Sequence, residues 1–293
     1  MAIAGLTIIG ERINPGFKST RALFENQDLA GIQALAHRQV EAGAACLNVN
    51  IGNRALDDSA FMAEVIRAIQ AVVGVPLSFD FPSPAVQEVC LKTYDPDKAG
   101  GAKPIINSIS ETREEMLDLL AICPARVVLM ASERLEDGVG RPNKTAREVA
   151  DVARRMSRKL AREHAMALED IFIDVSISTL ASDTEGLVRM ALYGIGLIGD
   201  DPEMAGVHIM GGLSNIGNML PKKALDGSNL QHKLECVFLT LAVPRGFDVI
   251  LGTPWKDYAL LPEDDFVLGI FREVIARDGL DALRHVRRFY KAA

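Results

Sequence analysis

The sequence predicts an α/β protein, a (β/α)8 TIM barrel made of a single domain. Eight short apolar runs alternate with stretches of helical periodicity. The runs are continuously apolar rather than alternating, as parallel strands buried on both faces are. Eight such repeats in 293 residues suit a closed barrel better than an open doubly wound sheet. No Gly-x-Gly-x-x-Gly follows the first run, which a dinucleotide-binding open sheet would want. No linker or low-complexity segment divides the chain. One domain is therefore expected over 1–293, with the barrel core at about 6–258 and two closing helical patterns within 263–290.

Each element has its own local reason. Leu6–Ile9 is strand one and runs into Gly10-Glu11-Arg12-Ile13-Asn14-Pro15-Gly16. Leu29, Ile32, Leu35, Ala36 and Val40 recur at helical spacing over 28–42, and Gly43 ends that helix. Cys46 to Gly52 is strand two with its loop, and a helix over 57–73 turns Phe61, Val65, Ile66 and Ile69 inward. Val75–Asp80 is strand three; Ser83-Pro84 opens the next helix, since proline suits a first turn. Lys103–Ser108 is strand four, Ser110-Glu111-Thr112-Arg113 opens helix four, and Arg126–Met130 is strand five. Ala131–Asn143, charged and bearing Gly138, Gly140 and Pro142, is expected to be a long loop of lid type. A helix over 144–165 carries a solvated Arg- and Lys-rich face, and Ile171–Asp174 is strand six. A helix over 184–198 precedes strand seven, Ala205–Met210, which leads into Gly211-Gly212-Leu213-Ser214-Asn215-Ile216-Gly217-Asn218. A helix over 229–243 and strand eight, Phe247–Leu251, close the pattern, followed by Gly252-Thr253-Pro254-Trp255-Lys256.

Composition removes several function classes. A net charge of -7 and only 5% aromatic residues argue against a nucleic-acid partner, which needs a basic face and stacking rings. No run reaches membrane-spanning length, and Met1–Gly10 lacks the basic start of a signal peptide, so no membrane contact and a cytoplasmic setting are expected. The cysteines at 46, 90, 123 and 236 are far apart, and the five histidines show no ligand spacing. No metal site is expected. His208, inside strand seven, is expected to pack in the barrel wall.

In a barrel the C-terminal strand ends share one rim. Here that rim carries Asn14, Asn50, Asp80, Asn107, Asp174, Asn215 and Asn218, with Gly212 and Ser214 in the turn after strand seven. Glycine lets backbone approach a ligand closely. The set is amides and carboxylates, with no Ser-His-Asp or Cys-His arrangement. A carboxylate accepts two hydrogen bonds from a ring N–H and an adjacent amino group, as on a 2-amino-4-oxo heterocycle. An asparagine adds one donor and one acceptor. The plainer alternative for each residue alone is a helix cap or a turn.

Gly10-Glu11-Arg12-Ile13-Asn14, Leu47-Asn48-Val49-Asn50-Ile51-Gly52, Phe79-Asp80, Ile106-Asn107-Ser108, Ile173-Asp174 and Gly212-Leu213-Ser214-Asn215 resemble, in order and spacing, the pterin-binding methyltransferases. The likeness is greatest to methyltetrahydrofolate:corrinoid protein methyltransferases and runs from about residue 6 to 255. It implies a homodimeric barrel that holds tetrahydrofolate or 5-methyltetrahydrofolate as substrate. A separate corrinoid protein would carry cobalamin to the rim. Asp80, Asn107 and Asp174 would hydrogen-bond the pterin, with Asn50, Gly212, Ser214 and Asn218 around it. Asn215 would reach N5 and assist methyl transfer as the catalytic residue. No covalent enzyme intermediate is implied. Asn48 stands where the family has aspartate, Phe81-Pro82-Ser83 is bulkier than the family's run, and Tyr94–Lys103 is lengthened. The rivals are a pterin- or corrinoid-protein-binding module without turnover, and a dihydropteroate synthase. The latter would want Arg-x-His where Gly252-Thr253-Pro254-Trp255 stands.

Overall fold

The computed structural model describes residues 3–291. Among the described residues ten strands form: β1 (Thr7–Ile13), β2 (Cys46–Val49), β3 (Leu77–Asp80), β4 (Ile105–Ile109), β5 (Arg126–Met130), β6 (Glu133–Glu136), β7 (Val139–Pro142), β8 (Ile171–Asp174), β9 (His208–Gly212) and β10 (Phe247–Gly252). Eight close into a parallel barrel in the order β1-β10-β9-β8-β5-β4-β3-β2, so the expected (β/α)8 architecture is present. Helices between successive strands cover the barrel, among them Leu29–Glu41, Ser59–Gln70, Pro84–Thr93, Ala146–Glu163, Leu187–Gly199 and Leu230–Ala242. Local chemistry starts them: Asp28 accepts from the Gly31 amide at 2.8 Å, and Thr145 with Glu148 forms a reciprocal capping box. Among the described residues no helix is long and apolar enough to cross a membrane.

Two expectations change, and one helix is additional. The segment 131–143 is not an open loop but the antiparallel hairpin β6–β7. Its turn is Asp137-Gly138, both left-handed at φ 53 and 77, the pair a two-residue hairpin turn requires. Helix four is replaced by tight 3-10 turns over Glu114–Ala121, because its intended start is drawn onto the hairpin. Thr112 Oγ1 donates to Glu133 at 2.5 Å, and the Leu135 amide donates to Glu111 at 3.1 Å. A short helix, Lys18–Glu25, fills the loop after β1.

Two apolar layers hold the barrel. A large cluster, with Leu47, Phe79, Ile106, Phe238 and Phe247 fully buried, lies between strands and helices. A smaller one fills the interior: Ile9, Cys46, Ile105, Val128, Phe172, Met210 and Val249, with Leu251 against it. His208 lies at the opening residue of β9, the end away from the rim, as a wall residue should. Its ring stacks on Phe172 at 4.9 Å, and its Nδ1 lies 2.7 Å from Asp248 Oδ2. The lengthened Tyr94–Lys103 segment precedes β4 and belongs to that same far end, folded on itself by Tyr94 Oη donating to the Ala102 carbonyl at 2.8 Å.

Candidate active site at the strand ends

Successive side chains of a strand face opposite ways, so every second residue points into the barrel. Two residues beyond the interior residues Ile9, Cys46, Ser78, Ile105, Val128, Phe172, Met210 and Leu251 comes the next inward position. Those positions are Glu11, Asn48, Asp80, Asn107, Met130, Asp174, Gly212 and Thr253. The interior thus changes within one step from a floor that is apolar but for Ser78 to a ring that is polar but for Met130 and Gly212.

One half of this ring is a closed hydrogen-bond cluster. Asp80 and Asn107 are register partners on β3 and β4. Asn48 Nδ2 donates to Asp80 Oδ2 at 3.1 Å. Its Oδ1 accepts from Ser78 Oγ at 3.1 Å and from Asn107 Nδ2 at 3.3 Å. Asn48, noted above only as a departure from the family pattern, is therefore the hub that sets the orientation of both neighbours. Gln87, on the helix Pro84–Thr93, holds the strand ends from behind. Its Nε2 donates to the carbonyls of Phe79 at 2.7 Å, Phe81 at 3.0 Å and Asn107 at 3.0 Å. Phe81 is buried, and Ser83 caps the helix that carries Gln87, so the bulky run becomes a fixed corner.

Asp174 closes this half. Its Oδ1 accepts from the Ser176 amide at 2.7 Å, which Ser176 aims back by adopting a left-handed φ of 55. Burial raises the Asp174 carboxyl to about 6; the nearby Asp80 charge adds to the rise, and the Ser176 N–H opposes it. Burial, with the Asp80 charge added, thus leaves Asp174 a desolvated acceptor that takes up a proton at about 6.

The other half is built differently. Glu11 sits in the β1 bulge between Gly10 and Ile13. Its carboxylate accepts from Thr253 Oγ1 at 2.7 Å and from Ser214 Oγ at 2.9 Å, tying three strand ends together. Burial pushes the Glu11 carboxyl up, and the two hydroxyls draw it back. Ser214 is the second residue of the turn Leu213–Gly217 that presents Asn215, which is exposed at the rim. Thr179 Oγ1 donates to the Asn215 carbonyl at 3.2 Å. A Cβ at Gly212 would stand 3.0 Å from Asn215 Nδ2, so the amide folds back over the end of β9, and glycine there leaves it room. Asn218 Nδ2 reaches Asn215 Oδ1 at 3.5 Å.

The predicted residues therefore separate. Asp80, Asn107, Asp174 and Gly212 share the inward ring, with Asn215 above Gly212 and Asn218 beside it. Ser214 is committed to Glu11. Asn14 and Asn50 instead make turns of their own: Asn14 Oδ1 accepts from the Gly16 amide at 2.8 Å, and Asn50 Oδ1 from the Gly52 amide at 2.7 Å. Glu11, Gln87 and Thr253 were missed. Strand alternation alone would have found Thr253, two residues past Leu251, but Glu11 only once β1 is carried past Ile9 through its bulge. Among the described residues no cluster of three or more His, Cys, Asp or Glu could hold a metal.

A family model described as pterin binding enzyme matches residues 10–251. A curated methylcorrinoid:tetrahydrofolate methyltransferase of Eubacterium limosum is 27% identical over 256 residues, covering 85% of each chain. Among solved structures, a dihydropteroate synthase of Clostridium difficile, in the presence of pteroic acid, aligns over 100% of both chains with a TM-score of 0.59 and 18% identity. That of Xanthomonas albilineans with 4-aminobenzoic acid covers 94% of this chain and 96% of its own, at TM-score 0.56 and 20% identity. Both support the barrel fold. With the family model spanning nearly the whole barrel, from the end of β1 to β10, the chain belongs to the pterin binding enzyme family.

Proposed function

We propose that this protein transfers a methyl group between a corrinoid carried by a partner protein and N5 of tetrahydrofolate. One observation carries the reading: Asp80, Asn107 and Asp174 are inward residues of one ring at the barrel mouth, and the Asn215 amide folds over Gly212 of that same ring. Asp174 and Asp80 suit the N–H and amino edge of a 2-amino-4-oxo pyrimidine, and Asn107 a flanking polar atom. In such a pocket each unmet polar group costs about 1–3 kcal/mol, so a ring with a different edge is rejected. Asn215 would hydrogen-bond N5, where charge changes as the methyl group moves, and so favour the transition state over the bound substrate. The corrinoid, when docked, supplies the cobalt that takes or gives the methyl group. The chain's own part is to hold the pterin and steady N5. No side-chain nucleophile is needed.

The relative of Eubacterium limosum is named for this reaction, and its similarity covers 85% of this chain. The dihydropteroate synthase reading has the fold in its favour. Against it, the run after β10 is Thr253-Pro254-Trp255, with Thr253 bonded to Glu11 and no Arg-x-His to hold a pyrophosphate. A homodimer in the cytoplasm is the setting we propose, with all of 1–293 as one barrel domain.

The test is to mix the protein with tetrahydrofolate and methylcobalamin, free or on a corrinoid protein. The visible spectrum should shift to that of the demethylated corrinoid as 5-methyltetrahydrofolate accumulates. Folate binding without methyl movement would make the protein a binding module instead.

A further inference from the structure

Four cations in one sector of the barrel have no carboxylate to meet. They are Arg12 in the β1 bulge, Lys18 and Arg21 on the helix Lys18–Glu25, and Arg38 on the helix Leu29–Glu41. Among the described residues none of them has an acidic oxygen within 4.0 Å. The helix Ala146–Glu163 shows the opposite habit. There Arg154 pairs with Asp201, Arg155 with Glu111, Arg158 with Glu203 and Lys159 with Glu114. Two of the four free cations are also held in place. The Arg12 guanidinium lies 3.7 Å over the Phe17 ring, and that of Arg38 4.0 Å over Trp255, the only tryptophan of the chain. Arg12 stands 5.6 Å from the same indole, so two like charges share one ring. Arg12 Nε is buried and has no hydrogen-bond partner. Burial lowers the Arg12 pKa; the Glu11 charge opposes the fall and the Arg38 charge adds to it. The loop that carries Trp255 is pinned from behind. Lys256 Nζ donates to the buried Glu235 at 2.5 Å, and the Thr253 amide to Tyr258 Oη at 3.1 Å. Arg12 follows Glu11, and Trp255 comes two residues after Thr253; Glu11 and Thr253 are ring members joined at 2.7 Å. The stack therefore stands at the rim, on its outer side, where Arg38 belongs to a covering helix.

We infer that the stack of Phe17, Arg12, Trp255 and Arg38 is the docking anchor for an acidic patch on the corrinoid-carrying partner protein. The inference rests on the function proposed above, which needs a partner to cover the rim. Like charges held on one indole, beside a buried donor left unmatched, are costly in the free protein. One carboxylate relieves both, because it takes two parallel hydrogen bonds from a guanidinium edge. Tryptophan and arginine are the residues on which interfaces concentrate their binding energy. Charge supplies the rest. A chain of net charge -7 repels an acidic partner at a distance, and Lys18 and Arg21 beside the stack reverse that sign locally.

The experiment runs methyl transfer to tetrahydrofolate from two donors, free methylcobalamin and a corrinoid protein carrying the same methylated cofactor. Wild type is compared with Arg38→Glu, which reverses an exposed charge, and with Arg12→Gln. With the carrier, kcat/KM should fall about tenfold in Arg38→Glu and lose most of its dependence on salt. The rate with free methylcobalamin and the affinity for tetrahydrofolate should not change. Wild-type carrier rates in both variants overturn the anchor, as does a wild type that gains nothing from the carrier over the free cofactor. Equal losses with both donors make the stack a brace of the site and overturn it as well. Lost tetrahydrofolate affinity assigns the missing carboxylate to the folate, and a changed oligomeric state assigns it to a second copy; either result overturns the proposal. If the wild type moves no methyl group from either donor, the function proposed above fails and binding decides the anchor by itself. Emission from Trp255 should then change on adding the carrier, less so at high salt and not in Arg38→Glu, and no change removes the anchor. Should Arg12→Gln fold poorly, Arg38→Glu alone decides, since its side chain is exposed.

Discussion

The barrel interior holds two layers only two residues apart along each strand, roughly 7 Å at the usual strand rise. The lower layer of Ile9, Cys46, Ile105, Val128, Phe172, Met210 and Val249 is apolar and packed, with Ser78 its polar member on β3. The upper one, Glu11, Asn48, Asp80, Asn107, Asp174 and Thr253, is acids, amides and hydroxyls, interrupted at Met130 and Gly212. Both are enclosed by the same strands, so position in the barrel does not explain the difference. An apolar upper layer would fold at least as well, because every buried polar group must first give up water. On the function proposed above, the lower layer serves the fold, while Asp80, Asn107 and Asp174 of the upper layer face the ligand and Glu11, Asn48 and Thr253 hold them and the rim in place.

The sharpest way to break that contrast is to place a carboxylate in the wrong layer. Val128→Asp lies in the fully buried floor beside Phe172, with no partner for its charge. It should cost about 4 kcal/mol or more of stability, seen as a collapse of the urea midpoint. A loss below 1 kcal/mol would show that water reaches the floor and that the two layers are not distinct.

Asn215→Ala tests the upper layer from the rim. It leaves the floor and the Asp80–Asn48–Asn107 cluster intact. Methyl transfer should slow by about 10²–10³-fold, the usual effect of losing a donor aimed at developing charge. Folate affinity should change far less, and single-turnover kinetics against a binding titration separates the two. Equal losses in both would remove Asn215 from the chemistry and leave it a binding contact.

Asp174 sharpens the contrast through pH. Its folded carboxyl is raised to about 6, above the 3.8 of the unfolded chain. The neutral form is thus the one folding favours. Stability contributed by that proton is full below about 3.8 and is lost as pH rises through about 6. Asp174→Asn should therefore stabilise the unliganded protein above pH 6, and the gain should vanish near pH 4. A pterin needs the ionised acceptor. Wild-type affinity should fall by up to about tenfold per pH unit below 6, a dependence that Asp174→Asn lacks at the cost of overall affinity. A pH-independent wild-type affinity between 5 and 7 would mean that Asp174 does not accept from the ligand.

Much of this was legible before any coordinates, and the layer contrast explains which parts. Strands buried on both faces leave continuous apolar runs, so all eight barrel strands were visible. Asp80, Asn107 and Asp174 each end such a run, where a lone polar residue stands out. Glu11 was hidden because β1 continues past Ile9 to Ile13, and a charged pair inside a bulge looks like loop. Asn14 and Asn50 looked like rim ligands because an asparagine that turns its own backbone has the same spelling as one that faces a substrate. The hairpin β6–β7 went unseen because its strands are polar and exposed and show no period; only Asp137-Gly138 announced it. Gln87 sits mid-helix, where only its reach to three carbonyls reveals a role.

The smallest effect concerns the link between the layers and the rim. Glu11 joins β1, β10 and the turn that carries Asn215, through Thr253 and Ser214. It does not meet the transferring group in this arrangement, so it is a positioning residue. Glu11→Gln keeps the shape and one acceptor, and its amide nitrogen can donate to the second hydroxyl oxygen. It should slow methyl transfer by no more than about fivefold, since a neutral hydrogen bond replaces a charged one at a difference of roughly 1 kcal/mol. Glu11→Ala leaves both hydroxyls without their acceptor and the Asn215 turn without its tether. It should lower the rate more than the glutamine variant does, with folate affinity moved less than kcat. If glutamine and alanine slow the reaction equally, the carboxylate's charge matters rather than its tether, and Glu11 would have to act on the bound substrate directly. If neither variant changes kcat, the Asn215 turn is held by Thr179 and the β9 backbone alone, and the rim is as independent of the polar ring as that ring is of the floor.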